Sequence, residues 1–105
     1  MYDADIIKKV IYEIIPGRLI DQIIIFGSNA RGDANEDSDT DICIITVNEL
    51  TREEIKFYSG ELNRVFARKY RMPTDILIKS KYAYSRYKNV AGAIEYSIAL
   101  EGVRI

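Results

Sequence analysis

Apolar residues recur at helical intervals over the first fifteen positions: Ile6, Ile7, Val10, Ile11, Ile14 and Ile15 form one stripe, with Asp3 or Asp5 in place as N-cap. The pattern predicts a helix over residues 3–15, stopped by Pro16-Gly17. Ile23-Ile24-Ile25-Phe26 is then a short unbroken β-branched run ended by Gly27, which suits a strand buried on both faces. Ile42-Cys43-Ile44-Ile45-Thr46-Val47 repeats that signature, with Asp39 and Asp41 at its entrance. Thr51-Arg52-Glu53-Glu54 has capping-box form and is followed by Ile55, Tyr58, Leu62, Val65 and Phe66 at helical spacing, so residues 52–70 should be the longest helix.

Pro73 ends that segment, and Asp75-Ile76-Leu77-Ile78 reads as a third strand that again opens on a carboxylate. Ser80 is placed to cap a helix running to about Asn89, and Ala91–Glu101 gives another that Gly102 terminates. Helices and strands thus interleave in an α/β or α+β order, which predicts a small mixed sheet flanked by helices. No repeat, low-complexity tract or linker interrupts it, and 105 residues are expected to form a single domain over 1–105.

Composition narrows the chemistry. With no histidine, the chain has no Ser-His-Asp or Cys-His nucleophile, no His-ligated zinc and no imidazole base, so acid/base or metal chemistry falls to carboxylates. Fifteen Lys and Arg against sixteen Asp and Glu leave a charge of −1 and no basic field, which disfavours polynucleotide binding. One cysteine forms no internal disulfide, and Cys43 inside an apolar run reads as core packing. An acidic start, Met1-Tyr2-Asp3-Ala4-Asp5, and no apolar run near the ~20 residues of a membrane span point to a soluble cytoplasmic protein.

The informative stretch is Gly27-Ser28-Asn29-Ala30-Arg31-Gly32-Asp33-Ala34-Asn35-Glu36-Asp37-Ser38-Asp39-Thr40-Asp41. A P-loop would need Lys and a hydroxyl residue after Gly32, where Asp33 and Ala34 stand. An EF-hand would need Gly at its sixth position and Glu at its twelfth; started at Asp33 or Asp37, neither register supplies them. A two-metal phosphoryl-transfer site fits better. In an extended chain residues i and i+2 point the same way, so Asp39 and Asp41 present two carboxylates on one face, and Asp75 joins them if the strands are neighbours. Three such groups can hold two Mg²⁺ ions about 3.5–4 Å apart, while backbone N–H groups around Gly27-Ser28 cradle phosphate.

Gly-Ser-x-Ala-Arg-Gly, a spacer, Ser-Asp-x-Asp and a later lone Asp at a strand start resemble the polymerase-β nucleotidyltransferase superfamily, and the Gly27–Gly32 wording and the size resemble its minimal nucleotidyltransferases, the MNT or MntA-type proteins. The match is closest over residues 23–47 and extends to Asp75. The resemblance implies the polymerase β-like fold, with Gly27 and Ser28 binding the β- and γ-phosphates of ATP. It implies further that Asp39 and Asp41 ligate both metals, and that Asp75 completes the second metal site and helps deprotonate the attacking hydroxyl. It also implies transfer of AMP from ATP to a hydroxyl, a tyrosine of a helical HEPN-domain toxin, with the chain as antitoxin. Two rivals stand beside that reading: neutralisation by complex formation alone, and transfer to a small molecule or RNA end.

Two further residues keep two readings. Ser38 caps the loop or touches phosphate. Arg31 faces phosphate or pairs with a loop carboxylate. Asp33, Glu36 and Asp37 read as loop solubility, the cluster Arg64, Arg68, Lys69 and Arg71 as a solvated helix face, and most of the eight tyrosines as core-edge residues.

Overall fold

The structure, a computed structural model, describes residues 2–105. In chain order the elements are α1 (Ala4–Ile14), a 3₁₀ turn (Gly17–Leu19), β1 (Ile20–Phe26), α2 (Gly27–Arg31), β2 (Thr40–Thr46), α3 (Arg52–Tyr70), β3 (Thr74–Ser80), α4 (Lys81–Tyr87), α5 (Ile94–Glu101) and β4 (Val103–Arg104). Local chemistry sets most of the boundaries. Asp3 accepts from the N–H groups of Asp5 and Ile6 and opens α1, Thr51 and Glu54 close a reciprocal capping box on α3, and the Ser80 hydroxyl accepts from Ala83 N–H at 3.1 Å to start α4.

The sheet order is β3-β2-β1-β4, with β2 parallel to β3 and antiparallel to β1, and β4 antiparallel to β1. β1 and β2 are therefore central, which is why their apolar runs are continuous rather than alternating. Successive residues supply opposite faces. Ile23, Ile25, Ile42 and Ile44 pack under α1 and α3 with Ile7, Ile11, Leu62 and Phe66, while Ile24, Cys43 and Ile45 face α4 and α5 with Ile98 and Tyr84. The first face carries helices of 11 and 19 residues, the second only helices of 7 and 8. The second cover is too short to reach the whole sheet, and one end of that face stays open.

Several elements differ from the expectation, among them α4, which ends at Tyr87 rather than near Asn89. β1 begins at Ile20, three residues earlier than the apolar run, because its first turns pair with β2 through Ile20 and Thr46. α5 begins at Ile94 rather than at Ala91. β4 is a two-residue strand whose pairing to Ile24 and Ile25 gives no periodic signal in so short a segment.

Gly102 holds the junction between α5 and β4. Its N–H donates to Ile98 O at 2.8 Å, and a Cβ at this position would be driven into both that carbonyl and Ile24 Cγ2. Gly102→Ala is expected to lower stability by about 1–3 kcal/mol, the range for overpacking a tight site. Denaturant unfolding should read it as a lower midpoint with an unchanged m-value. Among the described residues no helix is long and apolar enough to cross a membrane.

Candidate active site

Asp41 is the second residue of β2, and its Cα partners are Phe26 on β1 and Asp75 on β3. Adjacent strands lie about 4.8 Å apart, so in-register side chains stand abreast. Asp41 shares its face with Cys43 and Ile45, and Asp75 shares its face with Leu77, all on the side that α4 and α5 cover only in part. Asp39, two residues upstream, approaches from the loop entering β2. The parallel pairing thus places Asp75 beside Asp41 on the open end of the second face, and Asp39 is near enough for its charge to act on Asp41.

Burial raises the pKa of the half-buried Asp41 carboxyl above its ordinary 3.8, and the charges of Asp75 and then Asp39 raise it further, against a partial offset from Arg31. Like charges set side by side across a sheet are destabilising, and the fold retains them here. Such a donor set suits a hard divalent cation. Among the described residues no three of Asp, Glu or Cys are drawn together as a metal cage, so the expected three-carboxylate set is not assembled by the side chains alone.

α2 begins against this row. Gly27 has φ +69° and sits so close to Asp41 that a Cβ would run into the carboxylate oxygen Oδ2. The position needs glycine both for its backbone and for the approach. The N-cap of α2 is Phe26, and no side chain caps the helix, so the N–H groups of its first turn are left to solvent or to an anion. Ser28 lies inside α2 and not at its cap, where the extended Phe26 stands.

The remaining residues behave as loop and rim. The Arg31 guanidinium donates to Asp33 (Nε to Oδ2, 3.2 Å) and to Glu101 (Nη1 to Oε2, 3.0 Å), which raises its own pKa and fastens α2 to the end of α5. Glu101 is seventy positions away in the chain, and no sequence signal linked the two. Ser38 Oγ accepts from Asn35 N–H at 3.1 Å, and Ser38 N–H donates to Asn35 O at 3.0 Å, so this serine closes the turn before Asp39. Burial pushes the Cys43 thiol up to about 12, which leaves it an inert core residue. Arg64 pairs with Glu61 at 2.7 Å on an exposed face of α3.

Asn29 was not on the sequence-derived site. Its side-chain Nδ2 donates to the Asp39 carbonyl at 3.3 Å, joining α2 to the loop that carries Asp39, and its Oδ1 is buried without a partner among the described residues. The position occupies the free letter of Gly-Ser-x-Ala, so only the folded proximity of residues 29 and 39 reveals it. Of two cavities, of about 330 and 400 Å³, neither is lined by Asp39, Asp41 or Asp75, though the smaller adjoins the Asp39 loop through Asn29, Ser38 and Thr40. The carboxylate row stands on open surface, where a substrate and a second molecule can both reach it.

Residues 5–92 match the family model described as nucleotidyltransferase domain. Among curated proteins none matches the chain. The fold is similar to a chain in the crystal structure of a mutant toxin–antitoxin complex, MntA–HpeT, with TM-score 0.70 and 16% identity over 98% of this chain and 72% of that one. A toxin–antitoxin structure with AMP-PNP gives TM-score 0.70 and 18% identity over the same shares. The tri-AMPylated Shewanella oneidensis HEPN toxin in complex with MNT antitoxin gives TM-score 0.61 and 17% identity over 95% and 66%. At these identities the likeness is one of fold.

Proposed function

The chain belongs to the nucleotidyltransferase domain family, and from that premise we propose that it transfers AMP from ATP to a hydroxyl, a tyrosine of an HEPN-type toxin, and so acts as that toxin's antitoxin. The observation that carries the reading is the side-by-side placement of Asp41 and Asp75 next to the uncapped start of α2. A phosphate-binding helix end and a cation-binding carboxylate row within one side chain's reach are the two parts that a nucleoside triphosphate requires.

In this reading the first-turn N–H groups at Gly27 and Ser28, with the Ser28 hydroxyl, hold the β- and γ-phosphates. Asp39, Asp41 and Asp75 would hold Mg²⁺, which supplies charge neutralisation at the α-phosphate and on the attacking and leaving oxygens. Asp75, exposed at the rim, accepts the proton of the incoming hydroxyl as its oxygen bonds to the α-phosphorus and the bond to pyrophosphate breaks. Arg31 and Asn29 fix the supports: Arg31 ties α2 to α5, and Asn29 ties α2 to the Asp39 loop. Among the structures of similar fold, the MNT antitoxin is in complex with an AMPylated HEPN toxin, and that supports the acceptor class proposed here.

The test is incubation with α-labelled ATP, Mg²⁺ and the protein encoded beside it. Label and an AMP mass increment are expected on a tyrosine of the partner, absent with the Asp39→Asn, Asp41→Asn double variant. No transfer from any nucleoside triphosphate would overturn the enzymatic reading. Neutralisation of the toxin by the double variant would assign the antitoxin effect to covering alone.

A further inference from the structure

The larger cavity, about 400 Å³, lies on the same sheet face as the carboxylate row but over a different part of it. Its floor is Ile24 on β1 and Ile98 on α5, both buried. Arg104 on β4 is the Cα partner of Ile24, and so stands one side-chain row, about 7 Å, along the strands from the level of Phe26, Asp41 and Asp75. Tyr84 and Lys88 come from the end of α4, four residues apart and on one side of the helix, with Asn89 following.

The charge of this lining is unusual for the chain. Acids outnumber bases overall, yet the cavity has two cations and no carboxylate. Among the described residues the ion pairs engage Arg31, Arg64, Lys79 and Lys81; Lys88 and Arg104 take part in none. The Arg104 charge is felt at the Tyr84 hydroxyl, where it opposes the upward push of burial on that group's pKa. A guanidinium, an ammonium, a phenol and an amide therefore converge above an apolar floor, and each has donors to spare. An acceptor-only dianion satisfies such a set, and the guanidinium fork matches its tetrahedral oxygens.

We propose that the cavity between α4, α5 and β4 is a second anion site that takes a phosphoryl group, as free diphosphate or as a nucleoside monophosphate, through Lys88 and Arg104. The site works without a divalent cation, which separates it from the carboxylate row and makes its test independent of catalysis.

The experiment is a titration of the full chain with inorganic pyrophosphate and, in a separate arm, with AMP, both in excess EDTA, followed by calorimetry and by amide NMR shifts of Tyr84, Lys88 and Arg104. Saturable binding of either probe, moving those resonances and weakened at least about tenfold by Lys88→Glu, is the expected result. The tighter probe identifies the source of the phosphoryl group. Lys88→Glu lies at an exposed helix end, so it should fold as the native chain does; Arg104→Gln, on the edge strand, is the supporting variant. Lys56→Ala on α3 removes a distant charge and should leave the affinity unchanged. The proposal is overturned by the absence of saturable binding of both probes in EDTA, by full affinity in Lys88→Glu, or by an equal loss in Lys56→Ala.

Discussion

Asp41→Asn should make the free protein more stable and nearly inactive. The carboxyl has its pKa raised in the fold by burial, then by Asp75 and Asp39. For a group whose folded pKa lies above its unfolded one, the favourable contribution is fully present below the unfolded value and is lost as pH rises through the folded value. At neutral pH the wild-type chain carries that cost, and the neutral amide removes it. The melting temperature of the variant should therefore exceed that of the wild type at pH 7. The two should converge below the ordinary 3.8, where Asp41 is protonated. Mg²⁺ should raise the wild-type melting temperature and leave the variant nearly unmoved, since binding to the native state alone stabilises it. Nucleotidyl transfer should fall by more than about 100-fold, the upper end of what loss of a merely supporting partner costs a metal site. A variant that is destabilised at pH 7, or that retains transfer, would contradict the assignment of Asp41.

Gly27→Ala should inactivate by another route. Its φ of +69° costs a Cβ-bearing residue about 1–2 kcal/mol. The Cβ would also displace the Asp41 carboxylate, which as the end of a side chain can swing away more cheaply than backbone. Stability should therefore fall by only that amount in denaturant unfolding, while transfer falls as far as in Asp41→Asn. Because both changes act on one carboxylate, the double variant should lose little further activity, a non-additivity that a double-mutant cycle measures. Additive losses would mean that Gly27 acts on the phosphates alone.

Much of this was legible from residue order. The capping box at Thr51 located α3 at residues 52–70, because an N-cap and a 3.6-residue period are short-range signals. The unbroken runs at 23–26 and 42–47 announced strands covered on both sides, which their central places in the sheet explain. The expectation that Asp39 and Asp41 share a face rests on the two-residue repeat of an extended chain, and β2 itself begins only at Thr40, so Asp39 stands in the loop before it. Less legible were the start of β1 at Ile20 and the strand β4, since pairing partners define both and no local pattern does. The two readings of Arg31 could not be separated either, because one of its carboxylates, Glu101, reaches it only when α5 folds back over the sheet.

The sequence by itself determined most of the element types and, through the absence of histidine, left carboxylates as the groups with which acid/base or metal chemistry could be built. Only the tertiary structure decided that β2 and β3 lie parallel and in register, so that Asp75 stands beside Asp41 rather than on a distant edge. It alone brought Gly27 against that carboxylate and Asn29 against the Asp39 loop. The reason is range. Caps, turns and periodicities act within a few residues, whereas a site assembled from positions 27, 41 and 75 depends on strand pairing, and pairing is fixed by which apolar faces can be buried together.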